Sequence, residues 1–152
     1  MLVKTSRFGD KEVPDESLIV FPEGVIGFRD AKRFVIFECT DDGLFKWLQS
    51  VDRPDLAFVI AEANLLDPHY RVTLSEKERQ LLELQSADQA VICLILIIPA
   101  NPADATANML GPLVFNTDAR RGMQVILVNP EYSARQRIFN QPDAGNAPSG
   151  AP

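Results

Sequence analysis

One histidine, two cysteines and one tryptophan in 152 residues leave little material for catalysis. His69 stands alone in Asp67-Pro-His-Tyr70, with no Ser or Cys at motif spacing to act with it. Cys39 and Cys93 match no metal or redox spacing, and both sit in apolar runs as buried, reduced thiols do. No apolar run approaches the roughly 18–20 residues of a membrane helix, and no basic segment precedes an apolar one at the amino terminus. The expectations are no membrane association, a cytoplasmic location, no metal and no cofactor. Asp41-Asp42-Gly43 lacks the further spaced oxygens of a calcium loop, and Pro22-Glu-Gly-Val-Ile-Gly-Phe28 lacks the Lys-Ser/Thr of a phosphate loop. Both read as turns.

Positive charge is also short. Residues 1–100 hold 17 Asp and Glu against 11 Lys and Arg, while residues 101–139 hold three acids against four arginines. A phosphate backbone prefers a basic footprint, so direct nucleic-acid binding is not expected. The acidic surface suits a basic protein partner better, with Asp41, Asp42, Asp52 and Asp55 as the carboxylates that meet it.

What the chain does have is an unbroken apolar run from Val91 to Ile98, closed by Pro99. Its β-branched residues favour a strand, and a strand apolar at every position needs cover on both faces. It predicts the central strand of a curled sheet. Around it, strands are predicted at Leu2–Phe8, with Gly9-Asp10 as the following turn, and at 18–21, 34–38, 45–50, 56–61, 112–116 and 122–128. Ser75 and Glu78 form a capping box for one helix reaching Leu84, expected across the open end of the sheet. Residues 101–108 read as a loop. From Asn140 the tail has three prolines and no bulky apolar residue, which predicts disorder over 140–152. The fold class is mostly β: a small antiparallel β-barrel-like domain with one short helix, over residues 1–139.

Five segments occur in order. They are Phe21-Pro-Glu-Gly-Val-Ile-Gly-Phe28 with Phe34, Leu48-Gln-Ser50 with Asp55-Leu-Ala-Phe58, Asp67-Pro-His-Tyr70, Ala107-Asn-Met-Leu-Gly-Pro-Leu-Val-Phe-Asn116, and Gly122-Met-Gln-Val-Ile-Leu127. Together they resemble the bacterial flagellar assembly factor FliW family, over residues 1 to about 139. Asn108-Met-Leu departs slightly from the Asn-Leu usual there. The resemblance implies a non-enzymatic, monomeric, barrel-like protein that binds flagellin and antagonises CsrA, the RNA-binding repressor of flagellin translation. Free flagellin occupies the factor; export of flagellin releases it to act on CsrA.

The glycines and apolar residues of these segments are accounted for by turns and core. The polar matches Gln49, Ser50, Asp52, Asn108, Asn116 and Gln124 are the candidate partner contacts, although each equally suits a hydrogen bond to a neighbouring loop. Two rival readings stand beside this one. A small-ligand-binding barrel needs convergent polar groups, which the apolar strands do not offer. An OB-like nucleic-acid module needs basic residues and exposed aromatics on one face, which the charge balance opposes.

Overall fold

The computed structural model describes residues 1–139; the expected disordered tail, 140–152, lies outside the described residues. β1 (Leu2–Thr5) and β2 (Gly9–Glu12) make a separate hairpin. The turn between them is Ser6–Phe8 rather than Gly9-Asp10, and the strand expected through Phe8 stops at Thr5. The Thr5 hydroxyl is the reason: it accepts from Phe8 N at 2.7 Å and donates to Gly9 O at 2.8 Å, pinching the chain three residues early. Phe8 then packs edge-on against Phe37 and Trp47, at 5.1 and 5.9 Å between ring centroids, docking the hairpin on the main sheet.

That sheet contains β3 (Ile19–Val20), β4 (Arg33–Glu38), β5 (Lys46–Ser50), β6 (Ala57–Glu62), β7 (Ala90–Ile97), β8 (Thr106–Ala107), β9 (Leu113–Asn116), β10 (Arg121–Gln124) and β11 (Gln136–Arg137). Strands β3-β4-β5-β6-β7-β9-β10 close into a ring of seven, because β7 pairs with β9 and β10 returns to β3. Directions that strictly alternate cannot close on an odd number of strands. One neighbouring pair must therefore run parallel, and it is β10–β3, through Arg121 opposite Val20. Closure leaves the ring without an open edge.

The long apolar run is β7, and it is central: β6 lies along one side, with β9 and then β8 along the other. Its side chains divide by parity. Val91, Cys93 and Ile95 turn to the barrel interior with Phe21, Phe34, Leu48, Ile60 and Phe115. Ile92, Leu94 and Leu96 turn outward and are covered by a second cluster that includes Tyr70 and Met109. Both faces are thus covered from Val91 to Leu96, while Ile97 and Ile98, at the end of the run, are exposed. Leu94 is fully buried, so Leu94→Ala is expected to cost about 2–5 kcal/mol, measured as a lower urea midpoint at unchanged slope.

The capping box forms: Glu78 N donates to Ser75 Oγ at 3.1 Å and Ser75 N to the Glu78 carboxylate at 2.8 Å. The helix, α2 (Glu76–Leu81), ends before Leu84, since Glu83 takes a left-handed φ of 57°. It covers the side of the barrel rather than its open end. Leu74, Leu81, Leu82 and Leu84 pack on Val114 and Met123, the outward residues of β9 and β10. A single turn, α1 (Ala63–Leu66), precedes it and was not expected, being too short to show periodicity. Residues 101–108 contain β8 as well as loop. β10 ends at Gln124, but 125–128 stay extended, with Val125 N bonded to Pro112 O and Leu127 N to Leu110 O.

Candidate functional site

The six candidate contacts differ in burial: three are buried, two half-buried and Asp52 exposed. Gln49, Ser50 and Asn116 are buried. The Gln49 amide donates to the carbonyls of Ser50, Pro54 and Leu56 at 2.9–3.2 Å, and Ser50 Oγ accepts from Arg53 N at 2.9 Å. The two thus shape the 51–56 loop from within. Gln49 Oε1 is buried with no partner among the described residues. Asn116 donates to the Leu82 and Glu83 carbonyls and accepts from Asp118 N and Ala119 N, tying the end of α2 to the β9–β10 turn. Asp52 accepts from the backbone of Lys32 and Arg33 and pairs with the Arg33 guanidinium at 2.7 Å. Burial works against its charge, but Arg33 and the backbone N–H groups outweigh burial and hold its carboxyl below the usual range.

Asn108 and Gln124 are half-buried, and the structure brings them together. Asn108 Oδ1 accepts from Leu110 N and Gly111 N, while Gln124 donates to Gly111 O at 3.0 Å and accepts from Ile26 N at 2.9 Å. Gly111 lies between them, and an added Cβ would stand 2.8 and 2.9 Å from the two amide groups, displacing them from this arrangement. The Gln124–Ile26 bond spans 98 residues and joins the loop at 22–28 to β10. That loop turns through Gly24 and Gly27, at φ 67° and 88°. It closes this end of the barrel with Val25 and with Phe28, stacked edge-on against Phe58.

The result is an open groove of about 410 Å³ whose walls include Val25, Ile26, Phe58, Ile95 and Ile126, with Asn108 and Gln124 as polar groups in it. Alternation along 124–128 sends Val125 and Leu127 to the core and leaves Gln124, Ile126 and Val128 outside. Ile26 is 42%, Ile126 60% and Val128 98% exposed. Ile26 and Ile126, exposed on the groove beside two oriented amides, mark a surface for an apolar partner.

The acidic surface is arranged differently from the expectation. The register of β4 and β5 sets Phe34 opposite Ser50 at one end and Glu38 opposite Lys46 at the other. Asp41 and Asp42 therefore lie at one end of this hairpin, and Asp52 and Asp55 at the other. They form no single face, and Asp52 is already paired with Arg33.

The FliW protein family model matches residues 2–138. The chain belongs to the FliW family. A flagellar assembly factor FliW of Bdellovibrio bacteriovorus is 37% identical over 93% of this chain and 81% of its own length. One from Geotalea uraniireducens is 34% identical over 99% of this chain and the whole of its own. A crystal structure of the flagellar assembly factor FliW superposes with a TM-score of 0.84 at 31% identity, covering 92% of this chain and 98% of that one. The seven-strand barrel is thus the FliW fold. Among the described residues no helix is long and apolar enough to cross a membrane.

Proposed function

We propose that this chain is a non-enzymatic regulatory protein of flagellar assembly, acting in the cytoplasm as a monomer. It binds flagellin and, when flagellin is exported, antagonises CsrA. Membership in a family whose relatives are named flagellar assembly factors carries the reading. The groove at Asn108 and Gln124 supports it, because an amphipathic helix docks by laying its apolar face into such a surface. Flagellin is the partner assigned to the groove. CsrA is assigned to the acidic surface, which attracts a basic protein from a distance even though its carboxylates are dispersed.

Binding of the purified partners tests both assignments. Ile126→Asp places a charge on the groove rim without touching the core, and flagellin affinity is expected to fall about tenfold or more while the melting temperature stays within a few degrees. CsrA association is expected to slow at high salt much more than flagellin association does. Failure of the wild-type protein to bind either partner would overturn the function. Unchanged flagellin affinity in Ile126→Asp would remove the groove from it.

A further inference from the structure

The end of the barrel opposite the groove is not closed by a loop like that at 22–28 among the described residues, and its chemistry differs. A cavity of about 260 Å³ lies there, and each of the seven ring strands contributes to its lining. The wall is apolar: Ile19, Ile36, Ile60, Val91 and Phe115. Cys93 belongs to it as a neutral thiol, since burial, with Glu62 adding to it, pushes its pKa up to about 12. In a chain of net charge −6, the residues lining this mouth include the cations Lys46, Arg120 and Arg121 and the carboxylate of Glu62, with Glu38 and Glu83 beside it as ion-pair partners of Lys46 and Arg121.

The three cations are not equivalent. Lys46 pairs with Glu38 at 3.0 Å, and Arg121 donates to Leu81 O and pairs with Glu83 at 3.4 Å. Among the described residues Arg120 has no ion pair. Its Nη2 donates to Ser17 O at 2.7 Å, while its Nε is buried without a partner among the described residues. A buried guanidinium N–H with no acceptor is costly and uncommon. The residue also holds a left-handed φ of 57°, a conformation that non-glycine residues rarely adopt and that often marks functional positions.

We propose that this mouth binds a small amphipathic carboxylate, with its apolar body among Ile19, Ile60 and Phe115 and its head at the Arg120 guanidinium. A carboxylate matches the fork of a guanidinium and, after a small rotation of the side chain, supplies the acceptor that Nε lacks. The volume limits the ligand's size, lying below the roughly 300–1,000 Å³ of sites for drug-sized molecules. Lys46, Glu62 and Arg121 stand at strand ends and Arg120 in the β9–β10 turn, so only closure of the ring brings them together and no single strand sequence shows the set. The site is independent of the flagellin groove, which lies at the other end of the barrel.

Octanoate is the probe, with octanol as its uncharged counterpart, and amide NMR shifts with thermal unfolding as the readouts. Octanoate is expected to bind at low millimolar concentration or below, raise the melting temperature, and shift amides around Ile19, Ile60, Cys93, Phe115 and Arg120. Octanol is expected to bind about tenfold more weakly, and Arg120→Met to cost octanoate about the same factor. Arg120 also anchors Ser17, so a variant at an exposed position is needed in case Arg120→Met does not fold. Glu62→Gln serves, because removing the carboxylate that lines the mouth is expected to tighten octanoate binding two- to threefold, roughly, by relieving like-charge repulsion. No octanoate binding to the wild type would overturn the proposal. So would equal binding of octanol, shifts confined to the Ile26–Ile126 end, or no gain in Glu62→Gln.

Discussion

Phe21→Ala is expected to lower stability by about 3–5 kcal/mol, the cost of deleting a packed aromatic and leaving its cavity. Phe21 is fully buried at the start of the 22–28 loop and meets Phe34 and Phe115 edge-on, at centroid distances of 5.0 and 5.6 Å. Its backbone is held as well: Phe21 N donates to Lys32 O, and Phe21 O accepts from Gly24 N. The neighbourhood cannot easily collapse, since the ring contacts come from two strands, β4 and β9, of a closed barrel. Against a typical total of about 5–15 kcal/mol, a loss of this size displaces much of the protein's stability margin. The expected observation is a large drop in the urea midpoint at unchanged slope.

A second substitution makes the account stricter. Gly122 on β10 faces the same ring, and a Cβ there would stand 2.7 Å from Phe21. Gly122→Ala alone is expected to cost about 1–3 kcal/mol through overpacking. In the Phe21→Ala background the clash with Phe21 is gone and only the tight 3.2 Å approach to Phe115 remains, so the same substitution is expected to cost less. Simple additivity of the two changes would show that Gly122 is constrained by something other than the ring.

Residues whose local chemistry allows one outcome were legible from the sequence. Val91–Ile98 is rich in β-branched residues, too short for a membrane and apolar on both parities, which made it legible as a central strand; cover on both faces holds as far as Leu96 and fails at Ile97 and Ile98, which are exposed. Ser75 and Glu78 define a helix start through bonds they make to each other. What was hidden depends on who the neighbour is. The amide of Asn116 reads identically whether it meets solvent, a partner or the Leu82 carbonyl, which is 34 residues away. Gln49 and Ser50 hid in the same way, turned inward on a loop they shape. The Gln124–Ile26 bond and the convergence of seven strands at Arg120 arise only from the register of closure, which no local pattern encodes. The charge count was right as a sum but silent on placement, because the β4–β5 register alone separates Asp41 and Asp42 from Asp52 and Asp55.

Asn116→Ala is expected to cost about 2–5 kcal/mol, which would mark this matched residue as a structural tie. The side chain is 2% exposed and makes four hydrogen bonds to backbone, two as donor and two as acceptor. Truncation leaves the Leu82 carbonyl buried without its donor and frees the Asp118 and Ala119 N–H groups. Each unsatisfied buried group costs about 1–3 kcal/mol, and those that regain water cost less. Asn116→Asp is expected to be as damaging despite its nearly identical shape. It replaces the donating Nδ2 with an acceptor facing two carbonyls, and it adds a charge that burial penalises. Urea unfolding checks the stability change, and flagellin and CsrA affinities measured under conditions where both variants remain folded check the role. The expected result is a large loss of stability with partner affinities within about twofold of wild type. Wild-type stability with lost affinity for either partner would instead return Asn116 to the contact surface and displace the structural account.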